Sequence, residues 1–143
     1  MDTLEFRVVP PDPELEAWIE DCPGVQAVVE IRVNGREIVP VLREIEMAYD
    51  PRIAGAYGHL TPGELYPELA GALASGDAAA LLCCDGCGFI GCWSVYVHVH
   101  EDGEAVCWDG FEHNHRDWAY PLAFRFEKRA YAEAMEVLKG CIF

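Results

Sequence analysis

The chain has 143 residues, 52% of them hydrophobic, and its 25 acidic side chains outnumber the 10 basic ones to give a formal net charge of −15. That length suits one domain spanning residues 1–143, and that hydrophobic share excludes a disordered chain. The acidic excess repels phosphate backbones and anionic lipids, so nucleic acid and membrane surfaces are excluded as partners; a basic protein partner fits the charge, as does plain solubility.

The densest basic stretches, REIVPVLR and FRFEKR, are both interleaved with glutamate. The opening MDTLEFRVVPPDPE has neither the basic nor the apolar region of a secretory signal, and no apolar run reaches membrane-spanning length. Seven cysteines, an odd number bunched around one turn, do not form a secreted disulfide framework. The expected location is a reducing cytoplasm.

Along the chain, LEFRVV (4–9) alternates as a short strand before a Pro-Pro break. DPELEAWIED offers Asp12 as N-cap, Pro13 at the first helical position, and Leu15, Trp18 and Ile19 at helical spacing, predicting a short amphipathic helix ended by CPG. VQAVVEIRVNGREIV is a hairpin, because Asn34-Gly35 tolerates the positive φ angles of a type I′ turn. VLREIEMAYD then shifts to helical period with Leu42, Ile45 and Tyr49, and PRIAGAYGHL reads as a loop. In TPGELYPELAGALASG, Thr61 and Glu64 have capping-box spacing and Pro67 predicts a break in the helix.

AAALLCC (78–84) reads as one buried strand, and CWSVYVHVHEDGEAVCWDGF as a second hairpin turning at Asp102-Gly103. LAFRF is a further strand, and EKRAYAEAMEVLKG a helix burying Tyr131, Met135 and Leu138, stopped at Gly140. The expected class is α+β, an antiparallel sheet built from the two hairpins with helices packed on one face.

The densest chemistry lies in LLCCDGCGFIGCW. Cys84 and Cys87 have the spacing of a zinc half-site, and the glycines let the chain fold back to bring Cys92 to them. A hairpin turning at Asp102-Gly103 sets Cys92 opposite His113 if Gly110 introduces no bulge, making Cys84, Cys87, Cys92 and His113 a candidate Cys3His structural zinc site. The alternative is a set of reduced thiols packed in a tight turn. The same count sets His98 opposite Cys107, a candidate thiol-imidazole pair, and puts Val95, Val97 and Val99 on the core face. FEHNHRDWAY gathers His115, Arg116, Trp118 and Tyr120 in one loop, either as a ligand or partner surface or as a loop pinned by stacking and ion pairing.

The strings VNGREIVPVLREIE, CGFIGCW, FEHNHRDWAY and RFEKRAY together resemble a family of small bacterial proteins of unknown function. In that family a C-x-C-G-x-x-G-C-W turn is followed by an F-x-x-P-H-R-x-W-x-Y segment and a final F-x-x-x-x-Y helix. The match runs in order from Val33 onward. Cys87, Gly88, Gly91, Cys92, Trp93, Phe111, His115, Arg116, Trp118 and Tyr120 fall on the pattern; Asn114 stands where the pattern has proline, and Cys84 is one residue further from Cys87 than the pattern's first cysteine. The resemblance implies a fold group and no reaction, and favours His115 over His113 as the fourth metal ligand.

The expected function is therefore a small cytosolic bacterial binding or regulatory domain, not an enzyme, acting on a protein partner through its acidic surface. An immunity-type inhibitor of a basic toxin fits by analogy. Two alternatives stay open: an enzyme or redox protein using the cysteine turn with the His98/Cys107 or His115 region, and a structural zinc domain.

Overall fold

A computed structural model of the chain describes residues 1–14, 16–20, 22 and 24–142. Among them the elements run β1 (Leu4–Val9), β2 (Val28–Val33), β3 (Arg36–Glu37), α1 (Ile38–Glu46), β4 (Tyr57–His59), α2 (Pro62–Ser75), β5 (Ala78–Ala80), β6 (Leu82–Cys84), β7 (Val95–Asp102), β8 (Ala105–His113), β9 (Phe124–Glu127) and α3 (Lys128–Gly140). The class is α+β, as the alternation of hairpin and helical patterns implies. The strands form three antiparallel sheets, ordered β1-β2-β3, β4-β6 and β5-β7-β8-β9. Short links join them: Val29 N–H donates to Leu60 O at 2.8 Å, Leu81 N–H to Val95 O at 3.1 Å, and Asp2 bridges to Phe126.

The first hairpin turns at Asn34 (φ 54°) and Gly35 (φ 78°), the paired positive φ angles of a type I′ turn. Strand β2 then buries Val29, Ile31 and Val33 while Glu30 and Arg32 pair on the other face at 2.6 Å. Helix α1 turns Ile38, Leu42 and Glu46 inward, whereas Tyr49, expected on the same face as Leu42, lies exposed past the helix end. PRIAGAYGHL is not all loop: Tyr57–His59 pairs with β6.

Helix α2 starts as the capping-box spacing implies, with the Glu64 carboxylate accepting from the Thr61 N–H (3.0 Å) and hydroxyl (2.9 Å). It is not split at Pro67. Proline there removes one N–H and crowds the carbonyl of Gly63, a residue with no side chain to add to the crowding. The helix absorbs that cost by burying Leu65 and Leu69 completely, each worth about 1.5–3 kcal/mol.

The amphipathic helix expected from Asp12 shrinks to a 3-10 turn at Ala17–Glu20; Leu15 and the Pro23 of its stop lie outside the described residues. Its polar groups are committed elsewhere, since the Glu16 carboxylate accepts from Asp12 N–H at 2.8 Å and from His59. Residues 78–84 also divide. Ala78–Ala80 pairs with β7 and Leu82–Cys84 with β4, so one extended stretch changes sheets at Leu81.

In the second hairpin Val95, Val97 and Val99 are fully buried and His98 faces out, as the alternation requires. The register differs from the expected one. Asp102 pairs with Ala105, so the turn residues are Gly103 and Glu104, not Asp102 and Gly103. Positive φ falls on Gly103 (60°), the first central position, as in a type II′ turn. A bulge then follows at Gly110 (φ 60°), where the pairing shifts between Tyr96 and His98. Helix α3 packs on β1 and α2 through Tyr131, Met135 and Leu138, with Trp108 Nε1 donating to Tyr131 Oη at 3.2 Å. It runs through Gly140 and is capped at Cys141. No helix among the described residues is long and apolar enough to cross a membrane.

Candidate metal centre

Strand β6 delivers Cys84 to the edge of its sheet, and the chain turns at once. Gly88 N–H donates to Cys84 O at 3.0 Å, and Gly88 itself takes φ 75°, a conformation a side chain resists. This closes a C-x-x-C-G turn that folds the second thiol back toward the first. Gly91, at φ 91°, reverses the chain again and returns Cys92. The sulfurs of Cys84, Cys87 and Cys92 all lie within 4.8 Å of one another. Three thiolates around one tetrahedral ion, each about 2.3 Å from it, stand about 3.8 Å apart. The turn is already close to that arrangement.

The loop is held against the 3-10 turn. Ala17 N–H donates to Asp85 O at 3.0 Å, and a Cβ at Gly88 would lie 2.7 Å from the Trp18 ring. Within the cluster the thiols are electrostatically unequal. The Phe89 backbone N–H, outweighing burial and helped by the neighbouring thiols, pulls Cys87 below the usual cysteine range. Hydrogen bonds to Cys87 and Cys84 push Cys92 up to about 11. A bound cation would favour the thiolate form of each sulfur it touches. Cys83, by contrast, points into the core with its thiol 3.5 Å from His59 O, and burial raises its pKa.

Neither histidine expected as the fourth ligand joins the sulfurs, and among the described residues no other His, Cys, Asp or Glu does. For His113 the reason is register: it pairs with Val95, not Cys92, because of the turn at Gly103-Glu104 and the bulge at Gly110. Its ring is buried against Trp93 (4.1 Å), Trp118 (5.6 Å) and Tyr57 (6.1 Å). Nδ1 accepts the His115 N–H at 3.0 Å, and Nε2 is buried without a partner. Desolvation first, then the charges of Arg116 and His115, lower its pKa to about 4, so the imidazole is neutral. His115 Nε2 lies 3.2 Å from the carbonyl of Gly91, one residue before Cys92, and not in the sulfur cluster. A tetrahedral ion held by these three thiols alone would keep one coordination position open, unlike the closed four-ligand site expected. A groove of about 310 Å³ borders Cys84 and Cys92, lined also by Ile53, Ala56, Asp85, Trp93 and Arg116.

The segment read as a loop over 111–120 begins as the end of β8, and its loop part, 114–120, is both pinned and exposed. Trp118 stacks on Tyr49 at 5.6 Å, whose hydroxyl accepts from the Ala119 N–H at 3.0 Å, and Arg116 sits 4.8 Å over the Trp93 ring. His115 and Arg116 face solvent, while Tyr120 lies inside the protein, donating to the buried Glu46. The His98/Cys107 pair does not form. His98 stands opposite Asp109, and Cys107 opposite His100 with Arg125 Nη1 3.5 Å from its sulfur.

Two buried polar networks escaped the sequence reading. Glu16, His59 and Glu37 form one: His59 Nε2 lies 2.9 Å from Glu37 Oε1, and both Glu16 and His59 are buried. Glu46 forms the other, accepting from Tyr57 and Tyr120 hydroxyls and from Gly55 N–H at 2.8 Å. The position of Glu46, in line with Ile38 and Leu42 at helical spacing, is the signal that marks it; nothing local marks Glu16.

No family model matches the chain, and no curated protein or solved structure matches it either. Fold and site together define an α+β domain with a surface cluster of three thiols.

Proposed function

We propose that the chain is a metal-binding domain in which Cys84, Cys87 and Cys92 hold one thiolate-preferring ion, zinc before others, and that its role is binding a partner rather than catalysis. The observation that supports the metal is the convergence of three sulfurs on a glycine-closed C-x-x-C turn. Soft thiolates select zinc, copper(I) or iron-sulfur chemistry over magnesium and calcium, and zinc accepts this donor set without a demanding geometry. A donor from water or a partner completes the sphere from the groove side. The charge of −15 supports a basic protein as that partner, with association steered by opposite fields. Protein purified without chelator or metal-affinity resin carries close to one zinc per chain. Cobalt substitution gives thiolate-to-metal charge-transfer absorption that falls with each of Cys84→Ser, Cys87→Ser and Cys92→Ser. Metal-free protein that also develops no such absorption on cobalt addition overturns the reading.

One observation favours a second reading, a thiol redox protein: the Cys87 and Cys92 sulfurs lie within 4.8 Å of each other, with the Phe89 N–H favouring the thiolate at Cys87. In it the Cys87 thiolate attacks an external disulfide, releasing one thiol. Cys92 then displaces the second, leaving a Cys87–Cys92 disulfide in the chain. Cys92→Ser would trap the mixed disulfide, and failure to trap any removes this reading.

A further inference from the structure

The outward face of the four-stranded sheet carries a second cluster that shares no residue with the thiols. His98 and His100 project from β7 two residues apart, and Asp109 projects from β8 directly opposite His98. His100 Nε2 lies 2.8 Å from Asp109 Oδ2 and His98 Nδ1 3.9 Å from Oδ1; ligand atoms of all three residues fall within 4.8 Å of one another. We propose that His98, His100 and Asp109 form a binding site for a divalent transition-metal ion of the zinc, nickel or copper(II) class.

The hydrogen bond on the far side of His98 carries the argument. Its Nε2 lies 3.1 Å from the carbonyl of Gly76, the left-handed residue (φ 78°) that ends α2. A carbonyl only accepts, so Nε2 bears a proton, and in the neutral imidazole Nδ1 then keeps its lone pair on the Asp109 side. At 3.9 Å that lone pair and the carboxylate face each other with no hydrogen bond between them. Two acceptors so placed call for a cation, and an ion about 2.0–2.2 Å from each fits the gap. A histidine whose remaining N–H is fixed by a backbone carbonyl is how metal-ligating imidazoles are oriented. Among the described residues Asp109 pairs with no lysine or arginine; Arg125, the nearest cation on β9, is engaged by Asp102 at 2.6 Å. Two imidazole nitrogens and a carboxylate oxygen suit zinc, nickel and copper(II) better than magnesium or calcium. All three side chains are 36 to 50% exposed, so an ion enters from solution and water fills its remaining positions.

The inference stands whether or not the thiols bind zinc. Its test is a nickel(II) titration of the reduced protein loaded with one equivalent of zinc for the thiols, read by calorimetry and by the imidazole ring resonances of the five histidines. One nickel ion is expected to bind, broadening the signals of His98 and His100 and sparing the buried His59 and His113. Asp109→Asn should weaken nickel by about tenfold or more, and His98→Gln with His100→Gln should abolish the binding. These side chains face solvent, and the ring signals of the unaltered protein decide the question without any variant. Broadening confined to His115, unchanged nickel affinity in the double variant, or no nickel uptake at millimolar concentration would each overturn the proposal.

Discussion

His59 Nδ1 lies 2.6 Å from Glu16 Oε1 in the interior of the protein, and the same imidazole meets Glu37 on its other nitrogen. Burial alone would discharge His59, but hydrogen bonds to the two carboxylates outweigh it and raise the imidazole pKa. Burial likewise opposes the Glu16 carboxylate, whose hydrogen bonds from His59 and Asp12 win and lower its pKa. Stabilisation from protonated His59 is therefore complete below its unfolded pKa of about 6.5 and lost as pH rises through the higher folded value. That from ionised Glu16 is complete above its unfolded value near 4.5 and lost as pH falls through the lower folded value. The melting temperature should be highest between these limits, and His59→Gln should flatten the alkaline limb. An alkaline limb that the substitution leaves unchanged would show that His59 does not carry the charge. At neutral pH the same change should cost about 3 kcal/mol, since it strands a buried carboxylate.

Val97 is fully buried on the face of β7 opposite His98. Val97→Asp buries an unpaired carboxylate, at a cost of several kcal/mol against a total stability of about 5–15 kcal/mol. The variant should be unfolded or insoluble, whereas His98→Gln should stay within about 0.5 kcal/mol of the parent in urea denaturation. Equal midpoints for the two would reverse the assignment of faces.

Gly88 combines a left-handed backbone with contact against Trp18. Gly88→Ala should destabilise by about 1–3 kcal/mol through backbone strain and the collision together. It should also speed release of zinc to a chelator, because the turn that gathers the sulfurs is the part displaced. Wild-type release kinetics in that variant would separate the turn from the metal.

What the sequence makes legible is local. Asn34-Gly35 announces its turn because few residue pairs accept two positive φ angles, and Cys84, Cys87 and Cys92 gather because closely spaced glycines close the loop around them. The second hairpin was harder to read because Gly103 fits either central position of a two-residue turn. Choosing the wrong one moves His98 from Asp109 to Cys107 and, with the bulge at Gly110, moves Cys92 away from His113. The Glu16–His59 pair spans 43 residues and depends on a 3-10 turn that packing imposes over a helical pattern. No window on the chain contains both partners.

The passage of residues 78–84 from one sheet to another at Leu81 bears on how the molecule comes apart. Ala79 is registered to β7 and Cys83 to β4, four residues along the same extended backbone, so neither sheet can open without pulling on the other. Melting of the two sheets is then a single cooperative event, with no half-folded species between. The amide hydrogen of Leu81, donated to Val95 O where the stretch changes sheets, should exchange with deuterium only through global unfolding. The loop 115–120, by contrast, lies beyond the end of β8 and should exchange well ahead of both sheets.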